Sequence, residues 1–234
     1  MFQFKQFSVA QDKTAMKIGT DGVLLGAWTT IDHHPNSILD IGAGTGVIAL
    51  MLAQRSNAET IDAIEIEPNA HEQCVENFES SPWGDRLFCY HADLVELIQE
   101  PEEHYDLIVS NPPFHNTDIV GDKTSRTTAR QTEDLPFEVL LIGVKTLMSS
   151  NGVFCCIIPF IEEDNFIGIA AHYGLHPFKI TRVKGTTEAP IKRSLIAFSF
   201  AEKEILYDEL IIEVKRHQYT KEYIELTKAF YLKM

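Results

Sequence analysis

Ile38-Leu39-Asp40-Ile41-Gly42-Ala43-Gly44-Thr45-Gly46 is an apolar run that opens into a glycine-rich loop, and Val47 to Gln54 follows with helical spacing. A strand feeding such a loop and then a helix lets the backbone approach a ligand closely in front of the helix N-terminus. A dinucleotide fingerprint, G-x-G-x-x-G, needs a small residue at position 47, which here is Val47. The third glycine comes one residue early, which disfavours a nicotinamide oxidoreductase.

Outward from this unit the chain alternates strand-like and helix-like segments. Thr60 to Ile66 reads as a strand, and Pro68 opens a helix to about Phe78, proline being favoured in a first turn. Leu87 to Tyr90 and Tyr105 to Ser110 read as further strands, and Leu135 to Met148 as a long amphipathic helix. Gly152 to Ile158 is a fifth strand, Glu162 to Tyr173 a helix, and His176 to Val183 and Leu195 to Ala201 two final strands. This order implies an α/β fold: a doubly wound parallel sheet with helices on both faces. There is no internal repeat, low-complexity tract or linker. The polar stretch Asn116 to Asp134 has the length of a lid or binding loop.

The 234 residues suffice for one large α/β domain. A formal net charge of −14 argues against a surface that grips nucleic acid all over, though not against a local basic patch. Cys74, Cys89, Cys155 and Cys156 lack CxxC spacing and read as reduced core thiols. His33-His34 and the His172/His176 pair lack a carboxylate or cysteine to complete a metal set, so no metal is expected. The N-terminus lacks the apolar core of a signal peptide, and no apolar stretch is long enough to span a membrane. The expectation is a cytoplasmic protein with no membrane partner, taken as a monomer.

Asn111-Pro112-Pro113-Phe114 follows the strand Tyr105 to Ser110, at the strand end where open α/β sheets bind ligands. The prolines stiffen the turn. The Asn111 side-chain carbonyl and the Pro112 carbonyl are hydrogen-bond acceptors, and Phe114 offers a ring face for stacking. Together they suit a planar group bearing an amine.

Asp40, Gly42, Gly44 and Gly46 resemble Asp-x-Gly-x-Gly-x-Gly, the first motif of class I S-adenosylmethionine-dependent methyltransferases. The resemblance implies a Rossmann-like class I methyltransferase fold with a seven-stranded, mostly parallel sheet and S-adenosyl-L-methionine as cofactor. It assigns Glu65, rather than Glu67, to the cofactor's ribose, Asp93 to its adenine amine, and Asn111 to both cofactor and target. In that class Asn-Pro-Pro-aromatic marks transfer to a nitrogen conjugated to a planar system, which makes Asn111, Pro112 and Phe114 the catalytic candidates.

The whole chain resembles the tRNA1(Val) (adenine(37)-N6)-methyltransferase family. Phe7-Ser8-Val9 and Met16 to Trp28 look like its N-terminal cap, Gln73 to Trp83 fits, and Thr227 to Met234 looks like its C-terminal signature. The resemblance implies one domain, with residues 1–36 capping the cofactor's methionine end through Lys17, Gly19 and Thr20, and residues 37–234 forming the catalytic core. It also implies the anticodon loop of a valine tRNA as substrate, methylated at adenosine N6. An amine on a paired base is inaccessible, so the target is looped or flipped out.

Lys123, Arg126 and Arg130 in the polar loop, and Lys192 and Arg193 with Lys179, Arg182 and Lys184 around the last strands, are the candidate RNA contacts. Three readings compete: a methyltransferase acting on ribosomal RNA guanine N2 or a protein glutamine amide, a catalytically dead scaffold, and an NAD enzyme. The cap and C-terminal segments favour the tRNA enzyme over the first. Intact Asn111 and Phe114 weigh against the second.

Overall fold

The computed structural model describes residues 1–99, 104–113 and 135–234. The chain opens with a short hairpin, β1 (Phe2–Gln3) and β2 (Ser8–Val9), then α1 (Thr20–Trp28). The alternating body follows: β3 (Ser37–Ile41), α2 (Val47–Arg55), β4 (Thr60–Glu65), α3 (Pro68–Glu79), β5 (Leu87–His91), α4 (Leu94–Leu97) and β6 (Tyr105–Ser110). The second half comprises α5 (Phe137–Leu147), β7 (Met148–Pro159), a 3-10 turn (Phe160–Glu162), α6 (Glu163–His172), β8 (His176–Thr186), β9 (Ile191–Ser199), β10 (Leu206–Lys215), β11 (Gln218–Tyr219) and α7 (Lys221–Thr227).

Among the described residues the large sheet has nine strands, in the order β11-β10-β8-β9-β7-β6-β3-β4-β5. From β5 to β7 the neighbours run parallel; β9 enters antiparallel to both β7 and β8. The fold class is the expected one, but the sheet has two strands more than the seven the sequence predicts. β10 adds parallel to β8, and β11 folds back on it. β10 is hard to read because Leu210 is its one fully buried residue, so no apolar alternation marks it.

The central strands are buried on both faces, hence their near-continuous apolar sequences. Along β7, Val153, Cys155 and Ile157 face α1, α2 and α3, while Phe154, Cys156 and Ile158 face α5 and α6. The chain moves from β3 outward to β5, then crosses back to β6 on the other side of β3. The ends of β3 and β6 therefore flank a topological switch point, the usual ligand crevice of such sheets.

The N-terminal segment packs on this body through buried amides. Asn77 Nδ2 donates to the carbonyls of Ala10 and Thr45, both at 2.9 Å, while Asn77 Oδ1 accepts from the Ala10 amide at 2.7 Å. One side chain thus joins the N-terminal segment, α3 and the glycine loop. The chain ends meet as well: Lys5 Nζ donates to the carbonyls of Lys228 (2.6 Å) and Met234 (3.0 Å), and Phe4 bridges Tyr231.

Candidate active site

The register Ile41↔Ser110 sets Gly42 and Asn111 side by side at the carboxyl ends of β3 and β6. The Ser110 hydroxyl donates to the Ile41 carbonyl at 2.9 Å and ties these two ends together. In the loop, Gly42, Gly44 and Gly46 all hold positive φ, at 73°, 56° and 76°. That backbone strains any residue with a Cβ, which explains the alternate glycines. Gly42 and Ala43 donate their amides to the Ile64 carbonyl at 3.0 and 3.1 Å.

Glu65 holds the loop from β4. Its Oε2 accepts from the Gly44 amide at 2.8 Å and its Oε1 from the Glu67 amide at 2.9 Å. Each carboxylate oxygen keeps further lone-pair capacity for a hydroxyl donor. Glu67 is committed elsewhere: it caps α3, accepting from the amides of Asn69 (3.1 Å) and Ala70 (2.6 Å). Those bonds hold its carboxyl below the usual range. Asp93, beyond β5, caps the short α4 by accepting from the Val95 amide at 2.9 Å.

Asp40 lies fully buried beneath the loop. Its Oδ2 accepts from the Ala49 amide at 3.2 Å, and its Oδ1 has no hydrogen-bond partner among the described residues. Burial pushes its carboxyl up to about 7, against the lowering effect of the Ala49 bond, and the nearby Glu65 charge adds to the rise. Asn111 Oδ1 is likewise buried without a partner among the described residues. Two acceptors without donors at one strand-end crevice are uncommon, since buried polar atoms are nearly always paired.

The three loop glycines differ in surroundings. A Cβ at Gly42 or Gly44 meets nothing within 4 Å, whereas one at Gly46 would lie 2.5 Å from Phe78 Cε1 and 2.8 Å from Cys74 Sγ. Gly46→Ala therefore adds overpacking, about 1–3 kcal/mol, to a left-handed strain of about 1–2 kcal/mol. Gly44→Ala carries the strain alone but puts a methyl group in the open cradle. The expected result is a large loss of melting temperature for Gly46→Ala and a smaller one for Gly44→Ala, with cofactor titration abolished in both. Equal melting losses would show that the packing distinction is wrong.

Lys17 Nζ donates to the carbonyls of Gln11 and, at 3.0 Å, Thr14, so it braces its own segment. Gly19 is the N-cap of α1, and Thr20 is its first residue. α1 runs alongside α2 in the same direction, Gly22 facing Val47 and Gly26 facing Met51, so both helix N-termini reach the same rim. Arg193 pairs with Asp21 of α1 through Nε–Oδ2 at 2.8 Å, closing one side of a hollow of about 260 Å³ that Thr20, Lys184 and Lys192 also line.

Much of the basic group around the last strands is paired within the fold. Arg182 bonds Glu163 at 2.6 Å, Lys184 bonds Glu209 at 2.9 Å, and Lys179 sits 4.7 Å over the Trp28 ring. Lys192 is exposed. Phe114, Lys123, Arg126 and Arg130 lie outside the described residues. No motif in the sequence marks Asn77 as structural; a buried amide inside an amphipathic helix is its only signal. Among the described residues, no cluster of three His, Cys, Asp or Glu side chains could hold a metal, and no helix is long and apolar enough to cross a membrane.

A glycine cradle and an Asn-Pro-Pro segment flanking the switch point of this sheet define a class I methyltransferase. The fold has solved counterparts. A protein described as a predicted O-methyltransferase from Agrobacterium tumefaciens superposes with a TM-score of 0.69 over 90% of this chain and 96% of its own, at 19% identity. A 16S rRNA N2 methyltransferase from T. thermophilus, solved with AdoMet and guanosine, gives 0.53 over 79% of this chain and 44% of its own, at 17% identity. The methyltransferase small domain model matches residues 16–134. The chain belongs to the tRNA1(Val) (adenine(37)-N6)-methyltransferase family: proteins of that name from Flavobacterium johnsoniae and Bacteroides fragilis are 63% and 47% identical to it, each over 100% of this chain and at least 98% of their own. The protein of that name from Photorhabdus laumondii is 40% identical over 99% of this chain and 95% of its own.

Proposed function

We propose that this protein methylates N6 of adenosine 37 in the anticodon loop of tRNA1(Val), using S-adenosyl-L-methionine, in the cytoplasm. The observation that carries the reading is the buried Asn111 Oδ1 with no donor among the described residues, one step from the glycine cradle. Full-length relatives bearing that name support the choice of RNA.

The residues present fit the cofactor. Gly42 and Gly44 open onto free space, as a backbone cradle for a ligand requires. Glu65 would take the ribose hydroxyls and Asp93 the adenine amine. Asp40 and the neighbouring N-termini of α1 and α2, at Gly19-Thr20 and Gly46, would hold the methionine end, with residues 1–36 as its cap over the core 37–234. Lys17 would act there by shaping the cap. When bound, S-adenosylmethionine supplies an activated methyl group on its sulfonium.

The protein's own contribution is positioning. An exocyclic adenine amine has its lone pair delocalised into the ring. Asn111 Oδ1 accepts one amine hydrogen and the Pro112 carbonyl the other, drawing both out of the ring plane so that the lone pair localises on nitrogen. Pro112 and Pro113 keep these acceptors from drifting. Holding the nitrogen in line gives a large effective-molarity advantage. Alkylation makes the nitrogen acidic, so its proton leaves to water without a dedicated base.

The test is transfer of tritiated methyl from S-adenosylmethionine to an unmodified valine tRNA transcript and to one with guanosine at position 37. Label in the first alone is expected. Label in ribosomal RNA or a protein glutamine, with none in either transcript, would overturn the reading.

A further inference from the structure

The rim beside Asn111 carries an exposed aromatic and aliphatic surface that methyl transfer does not use. Cys156 of β7 pairs with Ser110, so the strand's last residue, Pro159, stands two residues farther out than Asn111, about 7 Å at ~3.3 Å per residue. The chain then turns through Phe160–Glu162, where Ile161 is 83% exposed.

Behind it, the Arg182 guanidinium lies 5.3 Å from the Phe160 ring centroid and 5.6 Å from that of Tyr207, which is 63% exposed. Arg182 cannot swing freely. Its Nη2 donates to Glu163 Oε1 at 2.6 Å and its Nε to the same oxygen at 3.1 Å, and buried Glu163 is fixed in turn by the Ser194 hydroxyl. The result is a preorganised row: aliphatic tip, ring, guanidinium, ring. Lys192 is the second residue of β9, the strand beside β7.

The chemistry of the row selects its ligand. Unpaired RNA bases stack on aromatic rings and arginine planes, and phosphates between them seek cations. A chain of net charge −14 that places an exposed tyrosine ring, a half-buried phenylalanine ring, a fixed guanidinium and a lysine on its catalytic rim is suited there to a polyanion with π faces. We propose that Ile161 and the outer face of Tyr207 form a stacking platform for unpaired bases flanking the methylated adenosine, with Arg182 and Lys192 facing the intervening phosphates. Ile161 serves a base adjacent to the target. Tyr207, on β10 three strands beyond β7, reaches back to the same guanidinium and serves a base farther along the chain.

The inference rests on the tRNA reading, and one experiment separates the two. Steady-state methyl transfer to the valine tRNA transcript is measured for wild type, Ile161→Ala, Tyr207→Ala and Tyr207→Phe, beside cofactor titration and thermal melts. Tyr207→Ala is expected to raise KM for tRNA about tenfold, and Ile161→Ala about threefold. Both should leave kcat, cofactor affinity and melting temperature near wild type, and Tyr207→Phe should restore KM. Wild-type activity with unchanged KM in both alanine variants overturns the platform and leaves the tRNA reading standing. A fall in melting temperature matching the loss of activity, not rescued by Tyr207→Phe, also overturns it. Absence of wild-type activity on the transcript overturns both.

Discussion

Asn111→Ala should lower the rate of methyl transfer about 10³-fold, comparable to removing one preorganised hydrogen-bond partner from a transition state, while cofactor affinity stays within a few fold. Asn111 Oδ1 is buried, without a donor among the described residues, at the end of a strand fixed to β3 by the Ser110–Ile41 bond. A buried acceptor left unpaired costs the fold about 1–3 kcal/mol. Removing it should therefore leave the melting temperature unchanged or raise it, opposite to the effect on activity. Asn111→Asp keeps an acceptor at the same atom and should retain more activity than the alanine variant. Single-turnover transfer and thermal melts on the same preparations check both halves. A rate within threefold of wild type would remove Asn111 from the chemistry.

The placement of this residue was legible because it depends on local order alone: an apolar strand, then Asn-Pro-Pro. The same holds for the glycine loop, whose one-residue departure from the dinucleotide spacing disfavours a nicotinamide site before any fold is known. The choice between Glu65 and Glu67 is subtler. Residues two apart on a strand share a face, so alternation does not separate them. What separates them is that β4 ends at Glu65, and Glu67, directly before Pro68, falls at the N-cap of α3.

Charge pairing was not legible. Lys179, Arg182, Lys184, Lys192 and Arg193 look like a basic stripe in sequence, yet Arg193 pairs with Asp21 from 172 positions away, and Arg182 with Glu163 across the turn from α6 to β8. Only the fold brings those acids in. The two unpredicted strands of the large sheet, β10 and β11, have a related cause: they stand mostly exposed at the sheet's margin, where burial no longer dictates an apolar sequence.

Asp40 yields the second large effect, and its sign follows from its burial. Its carboxyl rises from an ordinary value near 3.8 to about 7 on folding, first because burial penalises the charge and then because Glu65 lies nearby. A folded value above the unfolded one means that the contribution to stability is fully present below pH 3.8 and is lost as pH rises through 7. A shift of about 3 units corresponds to roughly 4 kcal/mol at 1.36 kcal/mol per unit. Asp40→Asn has no such titration, and its side-chain carbonyl still accepts from the Ala49 amide. The variant should match wild type near pH 4 and exceed it by about 4 kcal/mol at pH 8, measured by urea unfolding of the ligand-free protein at each pH. The same carboxyl should make a cationic ligand bind more tightly at pH 8 than at pH 6, because a positive charge in the cradle favours the ionised form. That gain should disappear in Asp40→Asn. The retained titration would then explain why an acid is kept at a site that weakens the empty fold at neutral pH. A stability difference between the two proteins that does not change from pH 4 to pH 8 would refute this account of Asp40.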